Sequence, residues 1–579
     1  MTTVPIAYQI RACLGDVLRT KLRQGRSEFL AAARHDCRGT QQAVLNRLLA
    51  LNEQSDFSRQ HGLRAGLSVR EYQSRVPVID YEYLRPWIDR VREGDHGALL
   101  GPQNRLLMFA MTSGTTAQSK YIPVTSQFLS DYRAGWQRWG VRMYDLFPQL
   151  RNLNLVQMTS SHRKSVSAGG IPCGNISGLV ASMQGPLVRS LYTIPAGVAE
   201  VEQSELKMRM VLTLAATDPH VGVLITANPS TVLQLLESLQ DDPERLIRDV
   251  RDGLEREVGV AGAAGRRLRR RLRPNRTRAR QLERLLSAAG SLRARELWPQ
   301  LCALAVWTGG SAGAYLQRLR ELCDGIAVCD HGLHASEGRM TVPLEANCSS
   351  GLLELSTHFF EFIPQRDADS ASPQVLTAEQ LVEGEEYLVL LTTSSGLVRY
   401  NIRDVVRCTG HYGDTPLLEF LHKGAHISSI TGEKLAESQV VQAVQVAESE
   451  VGLQTAQFTL TPEWGDTPGY TLYVETRGVV QSPAEIHRFS DAVERNLCAS
   501  NEEYREKLGS GRLRRLRVQQ LPPTAWRQLR ASRLQRSGGS EEQYKHPCLV
   551  PDPDFQKVFL KFCGLTPSQA EAFQSEPAA

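Results

Sequence analysis

The chain has 579 residues, of which 41% are hydrophobic and 22% are charged, and its net charge at neutral pH is +5. This composition is ordinary for a globular protein of about two to four domains, and the small charge does not indicate a nucleic-acid or membrane partner. The eleven cysteines include no C-x-x-C pair, and no apolar run reaches the roughly 18 residues of a membrane-spanning helix. We therefore expect no zinc ribbon, no disulfide scaffold, no signal peptide and a cytoplasmic location.

The first distinctive stretch is a small hydroxyl-rich loop near position 115. Residues 6–60 show helical spacing of leucines, and an apolar run, 106–111, then leads into Thr112-Ser113-Gly114-Thr115-Thr116-Ala117-Gln118-Ser119-Lys120. Small residues let backbone N–H groups approach an anion, the hydroxyls can donate to phosphate oxygens, and Lys120 adds a positive charge. An ordinary Ser/Thr-rich turn has the same composition, so this loop alone leaves both interpretations open.

The middle of the chain repeats the order strand, turn and helix, which predicts an α/β domain with helices packed on β-sheets. The predicted strands are 153–158, 221–226, 301–307 and 326–330. Ser230 is expected to cap the helix after the second strand. Nine arginines fall between positions 266 and 280. The leucines among and after them recur at helical spacing, which favours a solvated helix face over a nucleic-acid-binding surface.

The fourth of these strands runs into a glycine-rich loop that carries acidic and imidazole groups. The loop reads His331-Gly332-Leu333-His334-Ala335-Ser336-Glu337-Gly338. Open α/β sheets bind ligands at the carboxyl ends of their strands, and Glu337 could coordinate Mg²⁺ that bridges nucleotide phosphates. His331 and His334 are the alternative metal ligands, although the sequence shows no further ligand cluster beside them.

A later hairpin, with strands 387–393 and 397–400, delivers Asp404 at a predicted strand junction. A carboxylate at this place can accept two hydrogen bonds from a ribose diol. A turn aspartate that pairs with Arg403 or Arg407 is equally compatible with the fragment. The sequence does not decide between these two roles.

Taken together, these pieces resemble a known family. The motifs Thr112-Ser113-Gly114-Thr115-Thr116…Lys120, Ala335-Ser336-Glu337-Gly338 and Arg399-Tyr400…Asp404-Val405-Val406 occur in the order used by adenylate-forming enzymes. The best match is the auxin-responsive Gretchen Hagen family of acyl-acid amido synthetases, here expected as a non-plant, bacterial-type member. Further resemblances are Val76-Pro77-Val78…Tyr81, Asn228-Pro229-Ser230, Gly432-Glu433-Lys434-Leu435 and Gln543-Tyr544-Lys545, so the similarity extends over about residues 70–550.

The resemblance implies an N-terminal adenylation domain of residues 1–422 and a smaller, mobile α+β C-terminal domain of residues 423–579. It also implies a two-step reaction that uses ATP and Mg²⁺. A small-molecule carboxylic acid is adenylated, and an amine, typically that of an amino acid, then takes the acyl group and releases AMP. No nucleic acid or membrane partner is implied, and the oligomeric state is open.

By the same resemblance, each site residue receives a role. The resemblance gives catalytic roles to Lys120, Glu337 and Lys545, with Glu337 as the metal ligand. The residues expected to hold the nucleotide are Ser113, Gly114, Thr115, Thr116, Gly309, Gly310, Ser336, Asp404 and Lys423. Among them, Asp404 is expected to contact the ribose, Gly309 and Gly310 to pass the adenine, and Lys423 to stand at the hinge.

Several positions depart from the family pattern. The phosphate loop has Ala117-Gln118 in place of a glycine, Leu333 replaces an aromatic residue, Arg403 replaces the glycine before the ribose aspartate, and Cys548 stands where an arginine is usual. The glycine before the aspartate can adopt a backbone angle that arginine disfavours. Besides the amido synthetase, two alternatives therefore stay open: a ligase that transfers the acyl group to coenzyme A or a carrier thiol, and a catalytically silent nucleotide-binding protein.

Overall fold

The structure is a computed structural model. It describes residues 6–112, 120–201, 203–227, 229–309, 313–323, 325–368, 370, 372–423, 427–453, 455–476, 482–521, 526, 548–552, 555 and 559. Within these ranges, none of the helices is both long and apolar enough to cross a membrane. The described chain forms two compact units, which divide between residues 422 and 423.

Helices account for much of the first unit. They are α1 (Ile6–His35), α2 (Cys37–Asn52), α3 (Asp56–Gln60), α4 (Val69–Arg75), α5 (Tyr81–Glu93), α6 (Ser126–Leu146), α7 (Ile176–Ser182), α8 (Pro186–Arg189), α9 (Ser204–Thr217), α10 (Pro229–Asp241), α11 (Pro243–Asp252), α12 (Gly262–Arg271), α13 (Arg276–Ala289), α14 (Ala294–Leu297) and α15 (Gly313–Cys323).

The helix ends follow local chemistry. The side chain of Asp80 accepts a hydrogen bond from the backbone N–H of Tyr83 and so caps α5, which ends at Gly94 with φ +112°. The Thr125 hydroxyl caps α6 in the same way. The cap predicted at Ser230 is wrong, because Ser230 is the second residue of α10, which begins at Pro229, and proline suits a first helical position that needs no N–H donor.

The strands of the first unit are β1 (Leu106–Thr112), β2 (Lys120–Thr125), β3 (Asn154–Gln157), β4 (Ser165–Val166), β5 (Pro172–Gly174), β6 (Val221–Ile225), β7 (Ala303–Val306), β8 (Ala327–Asp330), β9 (His334–Ala335), β10 (Gly338–Arg339), β11 (Thr341–Val342), β12 (Ser350–Leu353), β13 (Phe359–Pro364), β14 (Leu376–Thr377), β15 (Glu386–Thr392), β16 (Tyr400–Tyr412) and β17 (Thr415–Lys423). The α/β prediction is confirmed, because β3, β6, β7 and β8 form a parallel sheet in that order.

Two further sheets complete the first unit. A four-stranded sheet has the order β2-β1-β5-β4, and a seven-stranded sheet has the order β11-β12-β17-β16-β15-β13-β14. One apolar core, which includes Leu224, Leu304 and Trp298, packs on one face of the parallel sheet, and a separate core packs on the other. A further core, with Phe109, Phe359 and Tyr400, fills the space between α2, α5, α6 and the other two sheets.

The second unit has its own core of buried aliphatic and aromatic side chains, among them Leu435, Val444 and Tyr470. Its helices are α16 (Glu437–Val451), α17 (Pro483–Ser500) and α18 (Glu502–Gly509), and its strands are β18 (Ile427–Ser428), β19 (Leu435–Ala436), β20 (Thr455–Glu463), β21 (Gly469–Thr476) and β22 (Arg517–Gln520). In this core the buried Glu433 carboxylate accepts hydrogen bonds from the backbone of Ile430 and Thr431 and from the Tyr470 hydroxyl.

Candidate functional site

The carboxyl end of the parallel sheet is held together by one buried aspartate. Asp330, the last residue of β8, accepts hydrogen bonds from the backbone N–H (2.7 Å) and hydroxyl (2.5 Å) of Thr308 and from the backbone N–H of Gly332 (2.5 Å). These contacts join the loops that follow β7 and β8. The loop after β7 contains Gly309, and the loop after β8 leads to Glu337.

Gly309 lies where a side chain would be tightly packed. A Cβ atom at this position would stand 3.1 Å from the carbonyl oxygen of Phe420 and 3.2 Å from the indole nitrogen of Trp307. The two aromatic rings are themselves 5.2 Å apart. Glycine therefore lets the loop pass close to an aromatic side chain and a neighbouring strand.

The loop after β8 turns back on itself as the short hairpin β9–β10. Ser336 and Glu337 form its tip, Ser336 half-buried and Glu337 only 6% exposed. Burial, and after it the charge of Glu337, raises the pKa of Tyr400 well above its usual value, which places the carboxylate near that ring. No basic side chain of the described residues forms an ion pair with Glu337, so its charge is available to a cation.

The two histidines of this loop are packed rather than arranged around a metal. Their rings lie 4.8 Å apart, each also close to Trp136. Nε2 of His331 is 3.2 Å from the carbonyl oxygen of Thr226, and Nδ1 of His334 is 2.9 Å from that of Gly332. Burial lowers the pKa of His331. No group of three or more potential metal ligands occurs in the described ranges.

Asp404 lies inside β16 and not at a strand junction as predicted. The ladder between β15 and β16 shifts register here, because Leu388 pairs with Val405 while Leu390 pairs with Asn401. The extra residues on β16 form a bulge in which Arg403 has φ +60°. The bulge leaves Asp404 only 4% exposed, whereas the Arg403 side chain is 56% exposed and its guanidinium lies 3.8 Å from Asp80.

The positive φ of Arg403 concerns the position at which this chain has arginine in place of the glycine of the family pattern. Glycine adopts this left-handed region without strain, and arginine adopts it at a cost of about 1–2 kcal/mol. The backbone N–H of Arg403 donates to Oδ1 of Asn401 at 2.8 Å, which holds the bulge in this conformation. Arginine therefore occupies a left-handed position here that glycine would occupy without strain.

One segment, residues 76–81, connects the parts of the site. The backbone of Ile79 forms a parallel bridge with β16, accepting from Asn401 at 2.8 Å and donating to Arg399 at 3.1 Å. Two residues later, the Tyr81 hydroxyl accepts a hydrogen bond from the backbone N–H of Tyr121 at 2.8 Å. The segment thus binds both the strand of Asp404 and the strand that begins at Lys120.

Lys120 is half-buried at the start of β2, where it pairs with Thr112 of β1. Its Nζ lies 5.4 Å from the centre of the Tyr81 ring, and the Arg92 guanidinium lies 3.8 Å from the centre of the Tyr121 ring. Cations over aromatic faces are stabilised by the negative face of the ring. The end of the predicted phosphate loop is therefore positively charged.

A buried ion pair that the sequence did not reveal supports this arrangement. Nε of Arg399 is 3.1 Å from both carboxylate oxygens of Glu361, and the two side chains are 5% and 1% exposed. The same guanidinium donates to the carbonyl oxygens of Val76 (2.5 Å) and Gln73 (3.0 Å), at the start of the connecting segment. Arg399 and Val76 each belong to a motif noted in the sequence, whereas Glu361 carries no such signal.

Seven of the predicted site residues cannot be compared with these contacts. Ser113, Gly114, Thr115, Thr116, Gly310 and Lys545 lie outside the described residues, and so does the side chain of Lys423, which ends β17. Of the other predicted site residues, Lys120 and Asp404 lie on strands that the segment 76–81 binds. Glu337 lies near Tyr400, which belongs to the strand of Asp404. Gly309 lies at the neighbouring end of the parallel sheet.

Comparisons with known proteins identify the family of the chain. Residues 26–328 match the GH3 family N-terminal domain, residues 351–423 its central domain and residues 438–554 its C-terminal domain. The chain belongs to the GH3 family. This membership confirms the predicted family.

The similar proteins are amido synthetases. The chain is 24% identical over 499 residues to indole-3-acetic acid-amido synthetase GH3.2 of Arabidopsis thaliana, covering 80% of this chain and 88% of that one. It is 22% identical over 459 residues to jasmonoyl-L-amino acid synthetase JAR4 of Nicotiana attenuata, with 76% and 79% covered. These relatives are plant proteins and give no support to a bacterial-type member.

Solved structures show the same fold. The acyl acid amido synthetase AtGH3.15 in complex with 2,4-DB superposes with a TM-score of 0.63 at 21% identity and covers 93% of this chain and 95% of its own. A 2-hydroxyisobutyryl-CoA ligase reaches 0.50 at 13% identity, with 91% of each chain covered. The predictions of an adenylate-forming fold and of a ligase that forms amides through an acyl-adenylate are confirmed, and this chemistry implies the use of ATP.

Proposed function

We propose that this GH3 protein adenylates a small-molecule carboxylic acid with ATP and then joins the acyl group to the amine of an amino acid. The observation that carries the proposal is the segment 76–81, which ties the strand of Lys120 to the strand of Asp404 beside the Glu337 hairpin. Relatives are named for indole-3-acetic acid and jasmonate, which are carboxylic acids with an apolar body. The same class of acid is proposed here.

The first step joins an anion to a polyanion, so positive charge and hydrogen-bond donors must offset the repulsion. A carboxylate oxygen bonds to the α-phosphorus as the bond to pyrophosphate breaks. In the second step the amine nitrogen bonds to the acyl carbon, the carbon–oxygen bond to AMP breaks, and the amine loses a proton. Lys120, with Ser113, Gly114, Thr115 and Thr116, is proposed to hold the phosphates.

The other roles follow from position. Asp404 is proposed to accept hydrogen bonds from the ribose hydroxyls, Gly309 and Gly310 to pass the adenine, and Ser336 to contact the nucleotide. The proposed domains are residues 1–422 for adenylation and 423–579 for the C-terminal domain, and the division into two compact units supports them. Lys423 is proposed as the hinge residue and Lys545 as a lysine that reaches the phosphates.

A magnesium ion fits at Glu337, since this carboxylate is buried at a tight turn and makes no ion pair with a described basic side chain. When bound, the ion would supply positive charge against the phosphates. Glu337 would hold it, and the β9–β10 hairpin orients that carboxylate. The cytoplasmic location stays a prediction.

A pyrophosphate-exchange assay with a panel of carboxylic acids tests adenylation. Glu337→Gln is expected to lower exchange at least 100-fold without loss of fold, whereas Glu345→Gln, at an exposed position nearby, is expected to leave it unchanged. Asp404→Ala is expected to raise the KM for ATP at least tenfold, because each hydrogen bond to a charged group contributes about 1.5–3 kcal/mol. The exposed Asp414→Ala is its control.

The alternatives give different results in the same assays. A silent nucleotide-binding protein would show no exchange with any acid. A coenzyme A or carrier ligase would show exchange but form a thioester and no amide when amino acids and coenzyme A compete, as read by mass spectrometry. An effect of Asp404→Ala confined to the acid substrate would contradict the ribose role.

A further inference from the structure

The N-terminal half of α1 exposes an apolar stripe that no described part of the chain covers. Ile6, Ile10, Leu14 and Val17 are 74%, 58%, 60% and 77% exposed. Their spacing of four, four and three residues places them on one helix face over about 17 Å. The opposite face is buried and includes Arg11 and Ala12. Single exposed apolar residues are common, but four in one row indicate an interaction surface.

A strongly basic surface lies on α12, α13 and the turn that joins them. Positions 262–290 hold ten arginines and a single acidic residue, Glu283, although the net charge of the whole chain is only +5. Three of these arginines bond to backbone carbonyls. The other seven are exposed and form no ion pair with a described residue: Arg266, Arg267, Arg270, Arg273, Arg276, Arg280 and Arg284.

The helices that carry the stripe and the basic surface, α1 and α12, contact the same small patch of the first unit. On the α1 side, the amide of Asn154 donates to the Tyr8 hydroxyl at 2.9 Å and also to Asp218 at 2.6 Å. The Thr193 hydroxyl donates to the same oxygen of Asp218 at 2.8 Å. On the α12 side, Arg271 donates to the carbonyl oxygen of Thr193 at 3.0 Å.

We propose that these two features form one surface that docks on a bilayer rich in anionic lipid. The apolar stripe would enter the boundary between headgroups and acyl chains, and the arginines would meet the headgroup phosphates. None of its residues belongs to the proposed nucleotide site, and the proposal departs from the expectation of no membrane partner. A second copy of the chain fits less well, because a two-fold pair places the same patches together and would bring arginines against arginines.

Vesicle sedimentation of the full-length protein tests the proposal. We expect binding to vesicles of phosphatidylcholine mixed with phosphatidylserine, and little binding to phosphatidylcholine alone. Ile10→Ser and Leu14→Ser should each weaken binding about tenfold or more. The triple variant Arg276→Ser, Arg280→Ser and Arg284→Ser should weaken it about 100-fold, since each arginine near an anionic surface contributes about fivefold.

Matched controls use exposed positions elsewhere. Val382→Ser replaces an exposed apolar residue (58%), and Arg38→Ser removes an exposed arginine side chain (88%). Both are expected to bind the mixed vesicles like the unaltered protein. All variants are expected to keep the thermal unfolding midpoint of the unaltered protein, because the substituted side chains are exposed.

Three results would overturn the proposal. The first is no binding to the mixed vesicles at low salt. The second is a dimer in light scattering that Leu14→Ser dissociates while vesicle binding is absent, which would assign the stripe to a second copy. The third is tight binding to single-stranded RNA by the arginine surface without vesicle binding, which would assign that surface to nucleic acid.

Discussion

Arg403 offers the sharpest test of the candidate site, because its backbone angle can be examined through stability alone. The residue has φ +60° in the bulge that buries Asp404. In the left-handed region glycine is free of strain, whereas alanine and arginine both carry a penalty of about 1–2 kcal/mol. In ordinary extended backbone the order reverses, and glycine is less stable than alanine by about 0.5–1 kcal/mol.

The expected magnitudes follow from these opposing terms. Arg403→Gly relieves the strain but adds roughly 0.5–1 kcal/mol of unfolded-state entropy. It also removes the 3.8 Å ion pair with Asp80, whose side chains are 56% and 44% exposed and which is therefore worth at most about 1 kcal/mol. We expect Arg403→Gly to change the free energy of unfolding by less than about 1 kcal/mol and to be more stable than Arg403→Ala by about 0.5–1 kcal/mol.

Denaturant unfolding of the unaltered protein, Arg403→Gly and Arg403→Ala measures the order of their stabilities. The KM for ATP in pyrophosphate exchange measures the effect of each substitution on the nucleotide site. Because the arginine already takes the glycine angle, neither substitution should change that KM more than about threefold, which corresponds to less than 1 kcal/mol. A more stable Arg403→Ala would show that the angle is not left-handed. A gain in adenylation of tenfold or more with Arg403→Gly would show that the arginine distorts the site.

Three further predictions concern buried groups. Tyr81→Phe should raise the KM for ATP about fivefold, since it leaves the Tyr121 N–H without its acceptor, while exposed Tyr83→Phe should have no effect. Arg399→Met should lower the free energy of unfolding by about 3–5 kcal/mol in denaturant titrations, because it leaves the buried carboxylate of Glu361 without its ion-pair partner. The double variant with Glu361→Gln should recover part of this lost stability. Burial lowers the pKa of His358 to about 3, so the folded protein lacks a proton that the unfolded chain binds below pH 6.5. Stability should therefore fall as the pH drops from 6.5 towards 3, and His358→Phe should make the fall shallower by up to about 1.4 kcal/mol per pH unit; an unchanged slope would contradict neutral burial.

Much of the fold could be predicted from local pattern. The apolar runs that became β6, β7 and β8 are fully or almost fully buried, and such runs identify parallel strands between helices. The helix that ends at Gly94 and the hairpin that leads to Asp404 also carry short-range signals. The position of Asp404 within its strand was not predictable, because a bulge depends on pairing with β15 and not on its own sequence.

The candidate site could be predicted only where its residues belong to motifs. The segment 76–81 binds the strands of Lys120 and Asp404, and Glu337 lies near Tyr400 of the latter strand, while the roles of these residues at a nucleotide stay predictions. The Arg399–Glu361 pair joins residues 38 positions apart, and neither carries a local signal of its partner. Long-range partners of this kind depend on the packing of whole sheets, so they cannot be predicted from the residue pattern of a single sequence.

The geometry of β16 also bears on whether the site is functional or degenerate. Arg399 (φ +44°) and Arg403 (φ +60°) both lie in the left-handed region, on either side of the bridge to Ile79. Two such residues cost several kcal/mol together, and they persist only where surrounding contacts fix them. Here the Glu361 ion pair and the Asn401 side chain do so. The strand is therefore held bent at the position that buries Asp404, and this favours a working nucleotide site over a silent one.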